Sequence, residues 1–223
     1  MNSPISPYHK PGFYAKSLAR NQHRDIVGGR WDETGRAQMS LLLDHGLRPH
    51  HHLLDIGCGS LRLGSKAVPY LDVGHYWGTD LSAELMQRGY ELELADPSRL
   101  PRSQLVMDAD FTFTGVPDII THALCFAVLT HLPEAYLYRC LSQVRASFPI
   151  LEKLLFTLFL APENTKNLRQ PDGVVTHAAR APYHVTAETA LLAAKDAGFV
   201  LEPQTLRLPR GQILFVASPV ASG

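Results

Sequence analysis

The residues with chemical potential form an ordered set. A glycine bend, Gly57-Cys58-Gly59, follows the apolar run Leu53-Leu54-Asp55-Ile56. A carboxylate, Asp80, closes a second run, Tyr76-Trp77-Gly78-Thr79-Asp80, 21 residues after Gly59. A third run ends in Met107-Asp108-Ala109-Asp110-Phe111, and a fourth is followed by Thr130-His131. Glycines at a strand tip permit positive φ and let the backbone approach a ligand closely. A carboxylate at the next tip can accept both hydroxyl protons of a ribose. At the third tip, an acidic side chain and a backbone N–H can read the edge of an adenine while Phe111 packs on its face. Asp108 and Asp110 both qualify as the reader. These three features on successive strands point to a site for a nucleoside.

Spacing narrows the choice of nucleoside. A dinucleotide fingerprint is GxGxxG, with the pyrophosphate on the helix N-terminus and a third glycine for close helix–strand packing. Here Arg62 occupies the third position and the next glycine is Gly64. S-adenosylmethionine (SAM) carries no phosphate and needs only the tight first turn. Methyl transfer from it requires a nucleophile in line with the methyl–sulfur bond, and a base only where the acceptor must lose a proton. His131 is the first candidate for that base, with capping of the helix after Pro133 as its structural alternative. His184, beside Tyr183, is a second candidate, able to close an acceptor pocket or to serve the fold. Arg36 can bind the SAM carboxylate or an anionic acceptor, or make a surface ion pair. Arg62 can tie the first helix to a neighbouring carboxylate.

These residues need elements to hold them. Residues 1–29, with Pro4, Pro7, Pro11 and Gly28-Gly29, predict an irregular arm. A helix follows over DETGRAQMSLLLDHG, with Asp32 as its cap and Gly46 as its stop. From Leu53 onward strand and helix signals alternate. Ser60 is expected to start a helix that ends near Pro69, and Ser82 to cap one reaching about Leu94. Pro133 fits the first turn of another helix, and Thr186 caps the last, which stops at Gly198. FVLEPQTLRL and GQILFVAS follow with no helix between them, a pattern of antiparallel pairing. The fold class is therefore α/β: a Rossmann-like, doubly wound sheet, mostly parallel, with a C-terminal antiparallel hairpin.

DIGCGSLRLG followed by YWGTDLS resembles motifs I and II of the class I SAM-dependent methyltransferases. GGRWDETGRAQ, LTHLP at 129–133, PYHVT at 182–186 and LPRGQILFV at 208–216 resemble a bacterial small-molecule branch of that family. The resemblance covers about residues 27–217. It implies a class I methyltransferase fold with SAM as cofactor, and Asp55, Gly57, Cys58 and Gly59 along its methionine part. It also implies Asp80 on the ribose, Leu81 beside the adenine, and Asp108, Ala109, Asp110 and Phe111 around it. Phe126 to His131 would border the sulfonium, although Phe126 stands where a polar residue is common. The implied organisation is a single domain over 1–223. Residues 1–48 form an arm and helix acting as a lid, and 49–223 form the Rossmann-like core.

Composition bounds the partners. Lys plus Arg equals Asp plus Glu, 21 against 21, so no net cationic field favours a nucleic acid. No (N/D)PPY-type tetrapeptide follows the fourth strand, which argues against methylation of a nucleobase amino group. A small metabolite offering O, N or C is the expected acceptor. The alternatives are a non-methylating reaction on the same fold and a non-catalytic SAM-binding protein. Three scattered cysteines suit a reducing compartment. The first residues have no apolar core of signal-peptide type, and no apolar run spans a bilayer. The expectation is a soluble cytoplasmic protein that meets no membrane. His50, His51 and His52 are consecutive, so their side chains do not converge on one face, and no HExxH or CxxC occurs. No metal is expected. No motif sets the oligomeric state.

Overall fold

The computed structural model describes residues 6–10, 12–202, 208 and 211–220. Seven strands form one sheet: β1 (Leu53–Ile56), β2 (Tyr76–Asp80), β3 (Leu105–Met107), β4 (His122–Cys125), β5 (Lys153–Leu158), β8 (Phe199–Leu201) and β9 (Ile213–Pro219). Their order is β3-β2-β1-β4-β5-β9-β8. β1 to β5 are parallel, β9 runs antiparallel between β5 and β8, and strand order reverses beside β1. The predicted doubly wound sheet with a terminal antiparallel pair is the one formed.

Alternate residues of the strands enter opposite layers. Leu54 and Ile56 of β1, Leu154 and Phe156 of β5, and Phe215 of β9 pack in one core. Helices α5 (Glu134–Ser147) and α6 (Ala187–Asp196) cover it through Leu137, Leu141, Val144, Ala190 and Ala194. Leu53, Leu155, Leu214 and Val216 face the other layer, covered by α2 (Trp31–Asp44), α3 (Gly64–Tyr70) and α4 (Ala83–Glu93). Burial on both faces explains why these strands read as continuous apolar runs.

Two caps form as predicted. The Ser82 hydroxyl accepts from Leu85 N–H, and that of Thr186 from Thr189 N–H. Two do not. α2 begins one residue before Asp32, behind Arg30 in left-handed conformation, and Asp32 pairs instead with Lys66 at 3.0 Å. α3 begins at Gly64, and Ser60 Oγ donates to His23 O at 2.9 Å, so this hydroxyl holds the arm rather than a helix. The arm itself contains a 3₁₀ turn, Pro7–His9, and a short helix α1 (Ala15–Ala19). A further antiparallel pair, β6 (Asn167–Arg169) with β7 (Val175–His177), has no counterpart in the sequence reading. Its strands are three residues long, too short to show a period. Pro4, Pro11, Arg210 and the stretch 203–207 lie outside the described residues. Among the described residues, no helix is long and apolar enough to cross a membrane.

α4 sets the position of the glycine bend. A Cβ on Gly89 would stand 2.3 Å from the Ser60 carbonyl oxygen. Ala is favoured over Gly in a helix by about 1 kcal/mol, but an overpacked backbone contact costs about 1–3 kcal/mol and occasionally more. Gly89→Ala is therefore expected to lower the unfolding free energy by up to about 2 kcal/mol net in urea denaturation. A stabilised variant would mean that α4 does not press on the bend.

Candidate functional site

Five strands ending together leave their tips on one edge, the ligand-binding edge of a doubly wound sheet. At the tip of β1, Gly57 and Cys58 both donate to Thr79 O of β2, at 2.7 and 3.0 Å. The bend requires φ of +73° at Gly57 and +56° at Gly59, which glycine adopts without strain. Asp80 then joins the two tips. Its Oδ2 accepts from Gly59 N–H at 3.0 Å and its Oδ1 from Ser82 N–H at 2.9 Å. Each oxygen keeps lone pairs for a further donor. Burial lifts the Asp80 carboxyl to about 6, against the backbone N–H groups that hold it down.

Asp55, two residues before Gly57 on β1, is buried, with its Oδ2 accepting from Tyr76 OH at 2.7 Å. Burial lifts it to about 7, outweighing that hydrogen bond and the nearby Arg62 cation. Arg62 Nη1 donates to Val27 O at 2.8 Å and its Nε to Gln38 Oε1 at 3.3 Å. It thus braces the arm and α2 against the bend.

The loop after β3 is organised by Asp108. Its carboxylate accepts from Asp110 N–H at 3.0 Å and from Phe113 N–H at 2.8 Å. The turn puts Phe111 at φ +59°, with its ring buried and facing both the cavity and the core. After β4, Ala127 sits at φ +59°. Its N–H donates to Thr157 Oγ1 at 2.8 Å, and that hydroxyl donates to Gln212 Oε1 at 2.6 Å. Left-handed non-glycine residues of this kind are costly and gather at binding sites. His131 ends a 3₁₀ turn, Leu129–His131, and the Tyr8 ring meets it edge-on at 4.9 Å.

Together these residues line a cavity of about 330 Å³. Asp55, Gly57, Cys58, Gly59, Arg62, Asp80, Leu81, Asp108, Ala109, Phe111, Phe126 and His131 are all on its wall. Three predicted residues are not. Asp110 is exposed and pairs with Arg139 at 2.9 Å, so of the two candidate readers Asp108 is the one at the cavity. Arg36 is exposed on α2, and the arginine that reaches the wall from this segment is Arg30. His184 is buried beside β6 and β7. One ring nitrogen lies 2.8 Å from Thr176 Oγ1 and the other 2.8 Å from Thr165 O, so the imidazole serves the fold.

The wall also includes residues that sequence reasoning missed. Ser6, Tyr8, His9 and Tyr14 come from the arm, Val27 and Gly28 from its end, and Phe159, Val174, Pro182 and Gln212 from beyond β5. Burial, and then the negative charges of Asp80 and Tyr8, push the Tyr14 hydroxyl well up. The arm is tied down by Glu93 of α4, which accepts from both Nε and Nη2 of Arg24 at 2.8 and 2.7 Å and lies 2.6 Å from His23 Nε2. The signal for these contacts was faint: three aromatic residues, Tyr8, Phe13 and Tyr14, in a proline-broken segment.

No protein-family model matches this sequence. Solved structures do match its fold. Magnesium protoporphyrin IX methyltransferase from Synechocystis, solved with bound SAM, superposes with a TM-score of 0.66 at 16% identity, covering 98% of this chain and 100% of that one. A TehB-like SAM-dependent methyltransferase from Corynebacterium glutamicum gives 0.62 at 16% identity, over 94% and 100%. DesVI from Streptomyces venezuelae gives 0.62 at 15% identity, over 90% and 98%. The fold is that of the class I methyltransferases.

Asp55 makes the site pH-sensitive. Its folded value of about 7 lies above the ordinary 3.8. Between those values the folded chain holds a proton that the unfolded chain has lost. The group therefore favours the folded state at low pH, and this advantage is lost as pH rises from about 4 to about 7. Asp55→Asn keeps an acceptor for Tyr76 and does not titrate. The stability of Asp55→Asn minus that of the native chain is expected to grow by roughly 2–4 kcal/mol across that window in urea melts. A flat difference would place the carboxyl in contact with water.

Proposed function

We propose that this chain is a SAM-dependent methyltransferase that transfers a methyl group to a small molecule. The observation that carries the reading is the Asp80 carboxylate, fixed through both oxygens at the edge of a cavity and with lone pairs to spare. The donor set suits an adenosyl group. Asp80 would take the ribose hydroxyls, and Asp108, the Ala109 backbone and the Phe111 ring would enclose the adenine. The bend from Gly57 to Gly59 would follow the methionine chain. Arg30 takes the part first expected of Arg36, as a cation for the methionine carboxylate. When bound, SAM supplies an electrophilic methyl group.

The chain's own residues then position the acceptor and exclude water. Tyr8, Phe159, Val174 and Pro182 offer apolar and aromatic surface to a small acceptor, and Gln212 offers a polar group. A ring nitrogen of His131 takes the acceptor proton where one must leave. The arm and α2, within residues 1–48, act as a lid held by Glu93 and Arg62, over a single domain. A neighbour of the same fold that is named for magnesium protoporphyrin IX supports a small molecule as acceptor. A reducing, cytoplasmic setting accords with three free buried cysteines.

A ligand that binds only the folded state raises the melting temperature. SAM and S-adenosylhomocysteine are expected to do so and NAD is not. Asp80→Ala should weaken SAM at least tenfold, about 1.4 kcal/mol, with an unchanged circular dichroism spectrum; equal affinity would remove the ribose assignment. With methyl-labelled SAM and a panel of hydroxyl, amine and carboxyl acceptors, label should move to product. His131→Ala should then cut kcat about 100-fold while leaving SAM affinity in place. Binding without any transfer of label would favour a non-methylating or non-catalytic role.

A further inference from the structure

The other end of the sheet carries a second cluster. β1, β4 and β5 are parallel and start side by side. Register sets Leu53 beside His122, and His122 beside Lys153. His51 stands two residues before Leu53, and Glu152 one before Lys153, so three strand entrances bring three side chains together. Thr121 locks them. Its O accepts from Glu152 N–H at 2.7 Å, its N–H donates to His52 O at 3.0 Å, and its Oγ1 accepts from His52 N–H at 3.1 Å.

The His51 and His122 rings lie nearly parallel, 19° apart, with centroids at 4.5 Å. His51 Nε2 is 3.9 Å from Glu152 Oε1. One donor atom from each of the three residues lies within 4.8 Å of the others. His122 is buried, His51 half-buried and Glu152 exposed, so the cluster opens to water on one side.

We propose that His51, His122 and Glu152 bind a divalent transition-metal ion of the zinc class, with water completing its shell. Two imidazole nitrogens and one carboxylate oxygen suit such an ion, whereas magnesium and calcium demand oxygen shells. Tetrahedral zinc, with bonds near 2.0–2.1 Å, sets its donors about 3.4 Å apart. The three donors stand within 4.8 Å of one another, so ligation draws them closer, and Glu152 is the exposed member of the set. Ligation through Nε2 puts the His51 ring proton on Nδ1, and so gives up the bond that Arg48 N–H donates there at 3.1 Å. The ion would staple the starts of β1, β4 and β5, far from the glycine bend. Its role is structural and does not depend on methyl transfer.

The test is calorimetric titration of zinc chloride into the metal-stripped full chain at pH 7.5, with thermal melts alongside. Saturable micromolar binding and a raised melting temperature are expected. Glu152→Gln and His51→Gln should each weaken binding at least tenfold, with unchanged circular dichroism. His75→Gln, which alters the neighbouring stacked His52–His75 pair, should bind as the native chain does. The proposal fails if the native chain shows no saturable binding. It fails equally if both cluster variants keep native affinity, or if His75→Gln alone loses it.

Discussion

The ligand end of this molecule depends on one shared carboxylate. Asp80 accepts from Gly59 on one side and from Ser82 on the other. The first bond holds the bend after β1 against β2, and the second fixes the entry to α4. The geometry is over-determined, because Gly57 and Cys58 also bind Thr79 O and α4 presses Gly89 on Ser60. Burying a carboxylate in this way is unfavourable unless it is well bonded. The backbone N–H groups offset that cost and leave the group oriented before any ligand arrives. Preorganisation of this kind is what a binding site gains from rigid elements.

Around that centre the chain wraps a second layer that is far away in sequence. Glu93 on α4 holds Arg24 and His23, and Arg62 holds Val27, so the arm lies over the bend. Tyr8 meets His131, and Tyr14 lines the same cavity as Asp80. The cavity wall is therefore contributed by both ends of the described chain, from Ser6 to Gln212. A parallel sheet also makes neighbours at its opposite edge, where strands begin. The histidines gathered there follow from register rather than from any local motif.

Legibility differed by the range of the interaction. Ser82 and Thr186 cap their helices because a hydroxyl meets an N–H three residues on, a local bond visible in the sequence. Asp32 and Ser60 look equivalent, yet Lys66 and the His23 carbonyl claim them from 34 and 37 residues away. His184 stands before a capped helix and reads like a pocket residue. The unforeseen pair β6 and β7 supplies the Thr176 hydroxyl that engages it instead. Arg36 lies on an exposed face of α2, whereas Arg30 precedes the helix in left-handed conformation and lines the cavity.

Sequence alone determined the doubly wound sheet, the bend at residues 57–59 and the placing of Asp80 at the next strand tip. Each depends on runs of apolar residues and on glycine stereochemistry, which act over a few residues. Only the tertiary structure decided that the arm lines the cavity, that Asp110 and His184 stay outside it, and that His51 meets His122. Those outcomes come from packing and hydrogen bonds between segments that no spacing relates, and they exist only once the strands have taken their register.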